Sequence, residues 1–161
     1  MIEAFGKMPS RRLVVVGEGQ QSDVLRKLAG PNVTFTGYLD DAAYRRVVGE
    51  ARALVFAGCE DFGIALAEAQ ACGTPVIAFG RGGATDIVQP LGKSDAPTGV
   101  LFKKQTTDDI SAAIALFEAN AGEILPSVCR ENAMRFEPSR FKSEFARAFE
   151  DATLINARRM A

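Results

Sequence analysis

The chain has 161 residues, 47% of them hydrophobic and 24% charged, and its 19 Lys and Arg against 20 Asp and Glu give a net charge of −1. That length suits one domain able to bury its own core without disulfide or metal staples, and the near-neutral balance lacks the positive field that binding to nucleic-acid phosphates requires. Histidine is absent, which removes His-based nucleophilic triads, imidazole general bases and every His-containing metal site.

Arg12–Gly17 is a β-branched run ending at a glycine, apolar on both faces as a buried parallel strand should be. Gln20–Ala29 follows as a helix with Val24, Leu25 and Leu28 on one stripe, stopped by Gly30-Pro31. Asn32–Gly37 is a second strand. Asp40 is placed to cap a helix through Ala51, with Tyr44, Val47 and Val48 on its inner face. Ala53–Ala57 is a third strand, and Phe62–Cys72 a helix closed by Gly73 and Pro75. Pro75–Phe79 and Thr98–Phe102 are the fourth and fifth strands. Between them Gln89–Pro97 reads as a long, mobile loop. Helices are expected over Asp108–Ala119, Glu123–Phe136 and Pro138–Ile155, the last with Phe141, Phe145 and Phe149 as a core-packing stripe.

The three cysteines, Cys59, Cys72 and Cys129, are odd in number and lack metal-ligand or CxxC spacing; they read as buried small hydrophobes in a reducing compartment. Met1–Lys7 carries Glu3 and no apolar segment of the signal-peptide kind. The longest apolar runs fall far short of the ~20 residues of a membrane span. The expectation is a soluble, cytoplasmic domain with no membrane span and no nucleic-acid partner. Strands alternating with helices predict an α/β, three-layer, Rossmann-like domain with a parallel β-sheet and right-handed crossovers. In such sheets ligands sit beyond the carboxyl ends of the strands. The loops at Gly17–Gln20, Gly37–Asp40, Gly58–Gly63 and Gly80–Gly83, and the stretch after Phe102, are therefore the places to look.

Glu60-Asp-Phe-Gly-Ile-Ala-Leu-Ala-Glu68 is the most informative of these segments. Glu60 lies in the loop after the third strand, and the helix that follows begins near Phe62 or Gly63, so its unpaired N–H groups and partial positive charge suit a phosphate. Gly63 admits a ligand close to the backbone. Glu68 stands on a helix otherwise rich in Ala and Leu, where a carboxylate is costly unless it is paired or faces a cleft. There it could accept two ribose hydroxyls, each such bond contributing ~1.5–3 kcal/mol. By spacing alone, the pair reads first as one acid at a helix start and one surface acid. Arg81 and Lys103-Lys104 read as solvated loop cations, and Arg11-Arg12 as surface. Gly17-Glu-Gly19 lacks the third glycine of a dinucleotide fingerprint, since Ser22 stands there. The first two strand ends lack the acid cluster of a response-regulator receiver.

Taken in order, Leu13–Gly19, Val33–Tyr38, Ala53–Ala57, Glu60–Ile64 with Glu68–Ile77, Gly82-Gly83 and Thr98–Phe102 resemble glycosyltransferase family 4, the retaining nucleotide-sugar transferases of GT-B fold. The Glu-Asp-Phe-Gly-Ile wording is most similar to its GDP-mannose-dependent mannosyltransferases. The resemblance covers residues 2–120. It implies a donor-binding domain that moves a hexose from a nucleoside-diphosphate sugar to an acceptor hydroxyl with retained configuration. Glu60 would hold donor-sugar hydroxyls near the reacting carbon. The backbone at Phe62, Gly63 and Ile64 would meet the sugar and diphosphate, and Glu68 the ribose. Gly37 and Tyr38 would border the base, Gly17 and Gly19 would shape the floor near the diphosphate, and Gly82 and Gly83 would line the sugar or acceptor side.

No metal or other cofactor is implied, in keeping with the lack of an Asp-x-Asp. Relative to the family, residues 1–161 would be a C-terminal domain truncated at its N-terminal edge. The first strand, an Arg and a Lys that neutralise the diphosphate, and the N-terminal acceptor-binding domain would be missing. Such a piece would bind nucleotide weakly, turn over nothing, and be open to self-association through an exposed sheet edge. The acceptor, a sugar or lipid-linked saccharide, would be reached through the missing domain. The alternative is a nucleotide-sugar-binding or regulatory subunit that pairs with a separate N-terminal-domain chain.

Overall fold

The computed structural model describes residues 1–160, with side chains through Thr153; Ala161 lies outside the described residues. Along the chain run α1 (Ile2–Gly6), β1 (Leu13–Val16), α2 (Ser22–Leu28), β2 (Val33–Gly37), α3 (Asp41–Glu50), β3 (Leu54–Phe56) and α4 (Ile64–Ala71). β4 (Val76–Phe79), α5 (Ala84–Ile87), β5 (Gly99–Phe102), α6 (Thr107–Ala119), α7 (Pro126–Ala133) and α8 (Pro138–Met160) follow. Every strand pair is parallel.

Period-two alternation sorts the strand side chains into two cores. Ile77, Phe79, Val100 and Phe102 face one way and pack with Phe5 of α1 and Ile110, Ile114 and Phe117 of α6. Val76 and Ala78 face the other way, onto Val48 of α3, Leu66 and Ala69 of α4 and Ile87 of α5. Helices thus cover both faces of β4, the middle strand, and each of its residues is buried. This is the three-layer α/β arrangement expected.

The expected continuous sheet is in two pieces, β1-β2 and β3-β4-β5, with no ladder between β1 and β3. The β1-β2 piece is covered on one face only, through Leu13, Val15, Val33 and Phe35. Val14 points to the other face and is 47% exposed, so β1 is not the strand buried on both sides that its sequence suggests. The α2 stripe is corrected likewise: Val24 and Leu28 are exposed, Leu25 alone of the three packs on the core, and no α2 residue is fully buried.

Several termini follow their sequence signals. Asp40 caps α3, its Oδ1 accepting from Ala43 N at 2.8 Å. α4 ends in a Schellman pair, with Gly73 at φ +84°, its N–H donating to Gln70 O at 2.8 Å and Thr74 N–H to Ala69 O at 2.9 Å. The proposed 123–136 helix is broken. Pro126 opens α7, and 3-10 turns at Ala121–Glu123 and Met134–Phe136 flank it.

Two further expectations are overturned. Phe141, Phe145 and Phe149 do share one face of α8, with the Phe141 and Phe145 rings stacked at 5.8 Å, but all three are exposed. Their spacing fixes a common face; nothing in the described residues packs over it. Gln89–Pro97 is tied at its base, Gln89 O accepting from Thr98 N at 2.8 Å and Gly99 O from Leu91 N at 2.9 Å. Of the cysteines only Cys129 is buried; Cys72 is half-buried and Cys59 exposed. Burial pushes the Cys129 thiol up to about 11, so it stays protonated and behaves as a small apolar group.

Candidate functional site

Two groups of loops stand at the carboxyl ends of the strands. The first follows β1 and β2. Gly17, at φ +100°, donates its N–H to Gly37 O at 2.8 Å, and Gly37 itself lies at φ +69°. A side chain at Gly37 would need that left-handed backbone and would also meet Glu18 Oε1 at 2.9 Å. Gly19 and Ser22 exchange two bonds, Gly19 N–H to Ser22 Oγ at 3.0 Å and Ser22 N–H to Gly19 O at 3.0 Å. Ser22 therefore closes this turn where a dinucleotide fingerprint would have glycine. Tyr38 follows, 79% exposed.

The second group follows β3 and β4. The Gly82-Gly83 loop is pressed onto the Glu60–Phe62 backbone: Gly83 N–H donates to Glu60 O at 2.8 Å, and a Cβ on either glycine would collide with the carbonyl of Glu60 or Phe62. Gly63 caps α4 from the left-handed region, φ +91°, with no side chain capping the helix. The Ile64 and Ala65 amides in the first turn then have no carbonyl partner within their own helix and remain able to meet an anion. Phe62 is steadied by an edge-on contact with Phe136, ring centres 5.8 Å apart. Gln105, just past Lys103-Lys104, donates from Nε2 to Ala57 O at 2.6 Å and carries the β5 loop back toward the end of β3. Lys103, Lys104 and Arg81 are exposed, as their solvated reading requires.

The structure thus brings Glu60, Phe62, Gly63, Gly82 and Gly83 together, and separately Gly17, Gly19, Gly37 and Tyr38. Among the described residues no hydrogen bond joins the loops of one group to those of the other. Glu68 stands apart from both on α4. Its exposed side chain lines a cavity of about 400 Å³ between α3 and α4, together with Asp41, Tyr44, Arg45, Ala71 and Cys72. Tyr44, read from sequence as part of the inner face of α3, packs on the core and also lines this cavity with Glu68. Burial, then the nearby Glu68 and Cys72 charges, raise the Tyr44 pKa above the usual phenol value. No local pattern marks this shared cavity, because the two residues lie on separate helices.

Among the described residues no group of three or more Cys, Asp or Glu is placed to hold a metal ion, and no helix is long and apolar enough to cross a membrane.

A parallel sheet with helices on both faces and glycine-rich turns at its carboxyl ends is the frame of a nucleotide-type α/β domain. Residues 1–136 match the family of glycosyl transferases group 1, and the chain belongs to that family. Over 125 residues it is 34% identical to a GDP-mannose-dependent monoacylated alpha-(1-6)-phosphatidylinositol monomannoside mannosyltransferase of Corynebacterium glutamicum, covering 69% of this chain and 30% of that protein. It is 27% identical over 135 residues to a sulfoquinovosyl transferase of Arabidopsis thaliana, covering 81% of this chain and 26% of that one. The chain therefore spans about a third or less of the length of these relatives. Among solved structures, a sucrose-phosphate synthase of Thermosynechococcus elongatus superposes with a TM-score of 0.76 at 24% identity, over 96% of this chain and 41% of the other. A lipopolysaccharide outer core galactosyltransferase gives 0.73 at 19% identity, over 94% and 45%. These likenesses establish the Rossmann-like fold.

Proposed function

We propose that this domain binds the donor in a family-4, retaining, metal-independent glycosyltransferase, and that the donor is GDP-mannose. The reading is carried by one arrangement: the Gly82-Gly83 loop bonded onto Glu60 beside an α4 N-terminus that has no side-chain cap. Glu60 then faces the donor sugar, with Gly82 and Gly83 along its sugar or acceptor side. The Phe62–Ile64 backbone meets sugar hydroxyls and diphosphate, and the helix dipole offsets charge on the leaving diphosphate. Glu68 takes the ribose hydroxyls, the Gly37-Tyr38 loop borders the base, and Gly17 and Gly19 form the floor near the diphosphate. The Corynebacterium glutamicum relative, named as a GDP-mannose-dependent mannosyltransferase, supports GDP-mannose as donor. The acceptor is held by a separate N-terminal domain, so these 161 residues alone bind nucleotide without turnover.

Titration of the labelled chain with GDP, UDP and ADP tests this through amide shifts. GDP alone should move Gly37, Tyr38, Phe62–Ile64 and Glu68. Glu68→Ala should weaken GDP binding about tenfold, the loss of a charge-assisted bond. Absence of shifts on folded protein, or shifts away from these residues, would overturn the reading.

A further inference from the structure

We propose that α8 is a self-association face: two copies of this chain join through their Phe141, Phe145 and Phe149 stripes, with the two helices antiparallel.

The stripe is built and left uncovered. Every described side chain from Pro138 to Thr153 is exposed. The three rings are each more than 60% exposed, and Phe141 and Phe145 already stack on each other at 5.8 Å. Four-residue spacing keeps them on one side of the helix. That spacing reads the same in both directions from Phe145, so the face fits a second copy of itself turned end for end.

The charges select both the occupant and its direction. Six charged residues lie between Pro138 and Thr153: Arg140, Lys142, Glu144, Arg147, Glu150 and Asp151. At 3.6 residues per turn, Arg140, Glu144, Arg147 and Asp151 fall on one flank of the stripe, and Lys142 and Glu150 on the other. The ion pair from Arg140 Nε to Glu144 Oε1, at 2.7 Å, shows the first flank directly. Along that flank the signs run plus, minus, plus, minus. In an antiparallel pair each flank meets its own copy reversed. A two-fold axis between residues 145 and 146 sets Arg140 against Asp151 of the second copy and Glu144 against Arg147 of the second copy. On the other flank Lys142 meets Glu150 of the second copy. Each pair is level to within about one residue's rise, ~1.5 Å. Phe145 then meets its own copy, and Phe141 meets Phe149 of the second copy. A parallel pair would bring unlike flanks together, Arg140 beside Lys142 and Asp151 beside Glu150, like charge against like. A lipid surface matches this face less well, because its three acids and three bases leave no net positive charge for anionic headgroups.

The size of the face sets the strength. Three phenylalanines this exposed offer roughly 300–450 Å² per copy, well under the ~800 Å² per partner of a standard interface. The dimer is therefore reversible, half-formed at roughly 10–100 μM.

Sedimentation of the full 161-residue chain from about 1 to 300 μM tests this, with circular dichroism to confirm that each variant is folded. The unaltered chain should pass from monomer to dimer. Phe145→Glu places like charges together at the centre of the pair and should weaken association about thirtyfold or more. Arg140→Glu or Asp151→Arg alone should weaken it about fivefold, since each pair occurs twice. The double variant Arg140→Glu with Asp151→Arg restores opposite signs and should recover the dimer. A chain that stays monomeric throughout would overturn the proposal, and capture of that monomer by phosphatidylglycerol vesicles would give the face to a membrane instead. A dimer that survives Phe145→Glu lies elsewhere, such as on a sheet edge, and would overturn it as well. A dimer lost in Phe145→Glu but indifferent to both single charge reversals would overturn the antiparallel register.

Discussion

β4 is buried from Val76 to Phe79, whereas β1 is buried only at Leu13 and shows Val14 to solvent. Both strands are short and β-branched, and both run parallel to their neighbours. The difference lies in what covers them. Around β4, α6 and α1 close one face while α3, α4 and α5 close the other. Over β1 and β2 a single face is closed, and α2 adds no fully buried residue. The comparison separates two ways of holding a loop. The turns carrying Glu60, Phe62, Gly63, Gly82 and Gly83 grow from the doubly covered piece. Those carrying Gly17, Gly37 and Tyr38 grow from the singly covered one, where backbone bonds and polar brackets must substitute for packing.

The largest expected effect would break this comparison most directly. Leu66, 1% exposed between α4 and β4, should lose about 3 kcal/mol of stability as Leu66→Ala, through lost transfer energy and the cavity left behind. Val24, 58% exposed on α2, should change stability by no more than about 0.5 kcal/mol as Val24→Ala. Urea denaturation of both variants measures the contrast, and equal losses would mean that the thin half is as tightly packed as the thick one.

Asn32 sharpens the same contrast at an intermediate size. Its Nδ2 donates to Phe5 O at 2.9 Å, Met8 O at 3.2 Å and Arg11 O at 2.8 Å, gathering the α1–β1 connection onto the start of β2. Asn32→Ala leaves those carbonyls without that donor and should cost about 2 kcal/mol. Proteolysis should then open the segment around Met8–Arg11 before the β3–β5 piece. Simultaneous cleavage of both would show that the two pieces open as one unit.

What was legible in the sequence follows from this division. Runs such as Leu13–Val16 and Val76–Phe79, each followed by glycine, announce parallel strands wherever they end up. The Gly73-Thr74-Pro75 stop and the Asp40 cap use only neighbouring residues, and both were readable. Glu60, Gly82 and Gly83 were suggested by their place in a motif order, and the structure supplies the bond that joins them. Coverage was not legible. The Phe141, Phe145 and Phe149 spacing states that they share a face, and Val24 and Leu28 likewise, but whether anything lies over that face depends on segments far away in sequence. Isolated polar residues are harder still. Asn32 reaches across as many as 27 positions, and Asn132 spans 62 to meet buried Gln70 at 2.6 Å. Neither carries a local pattern.

The smallest effect concerns the ion pair that joins the start of β1 to α6. Arg11 donates to both carboxylate oxygens of Glu118, from Nη2 at 2.6 Å and from Nε at 3.0 Å and 3.1 Å, and Arg52 stands 3.5 Å away. The hydrogen bonds from Arg11, and after burial's opposing effect the Arg11 and Arg52 charges, hold the Glu118 carboxyl below its usual range. A carboxylate whose folded value is depressed adds stability above its unfolded value and loses it as the pH falls through the folded one. Glu118→Gln should therefore lower the melting temperature slightly at pH 7, and the gap to the unaltered chain should close as the pH drops through and below the ordinary glutamate range. Added salt should narrow the gap at pH 7 as well, because the pair is partly open to solvent and screened. A gap that persists in acid would assign the role of Glu118 to packing along α6. The thin half would then be fastened to the thick one by contact, without help from charge.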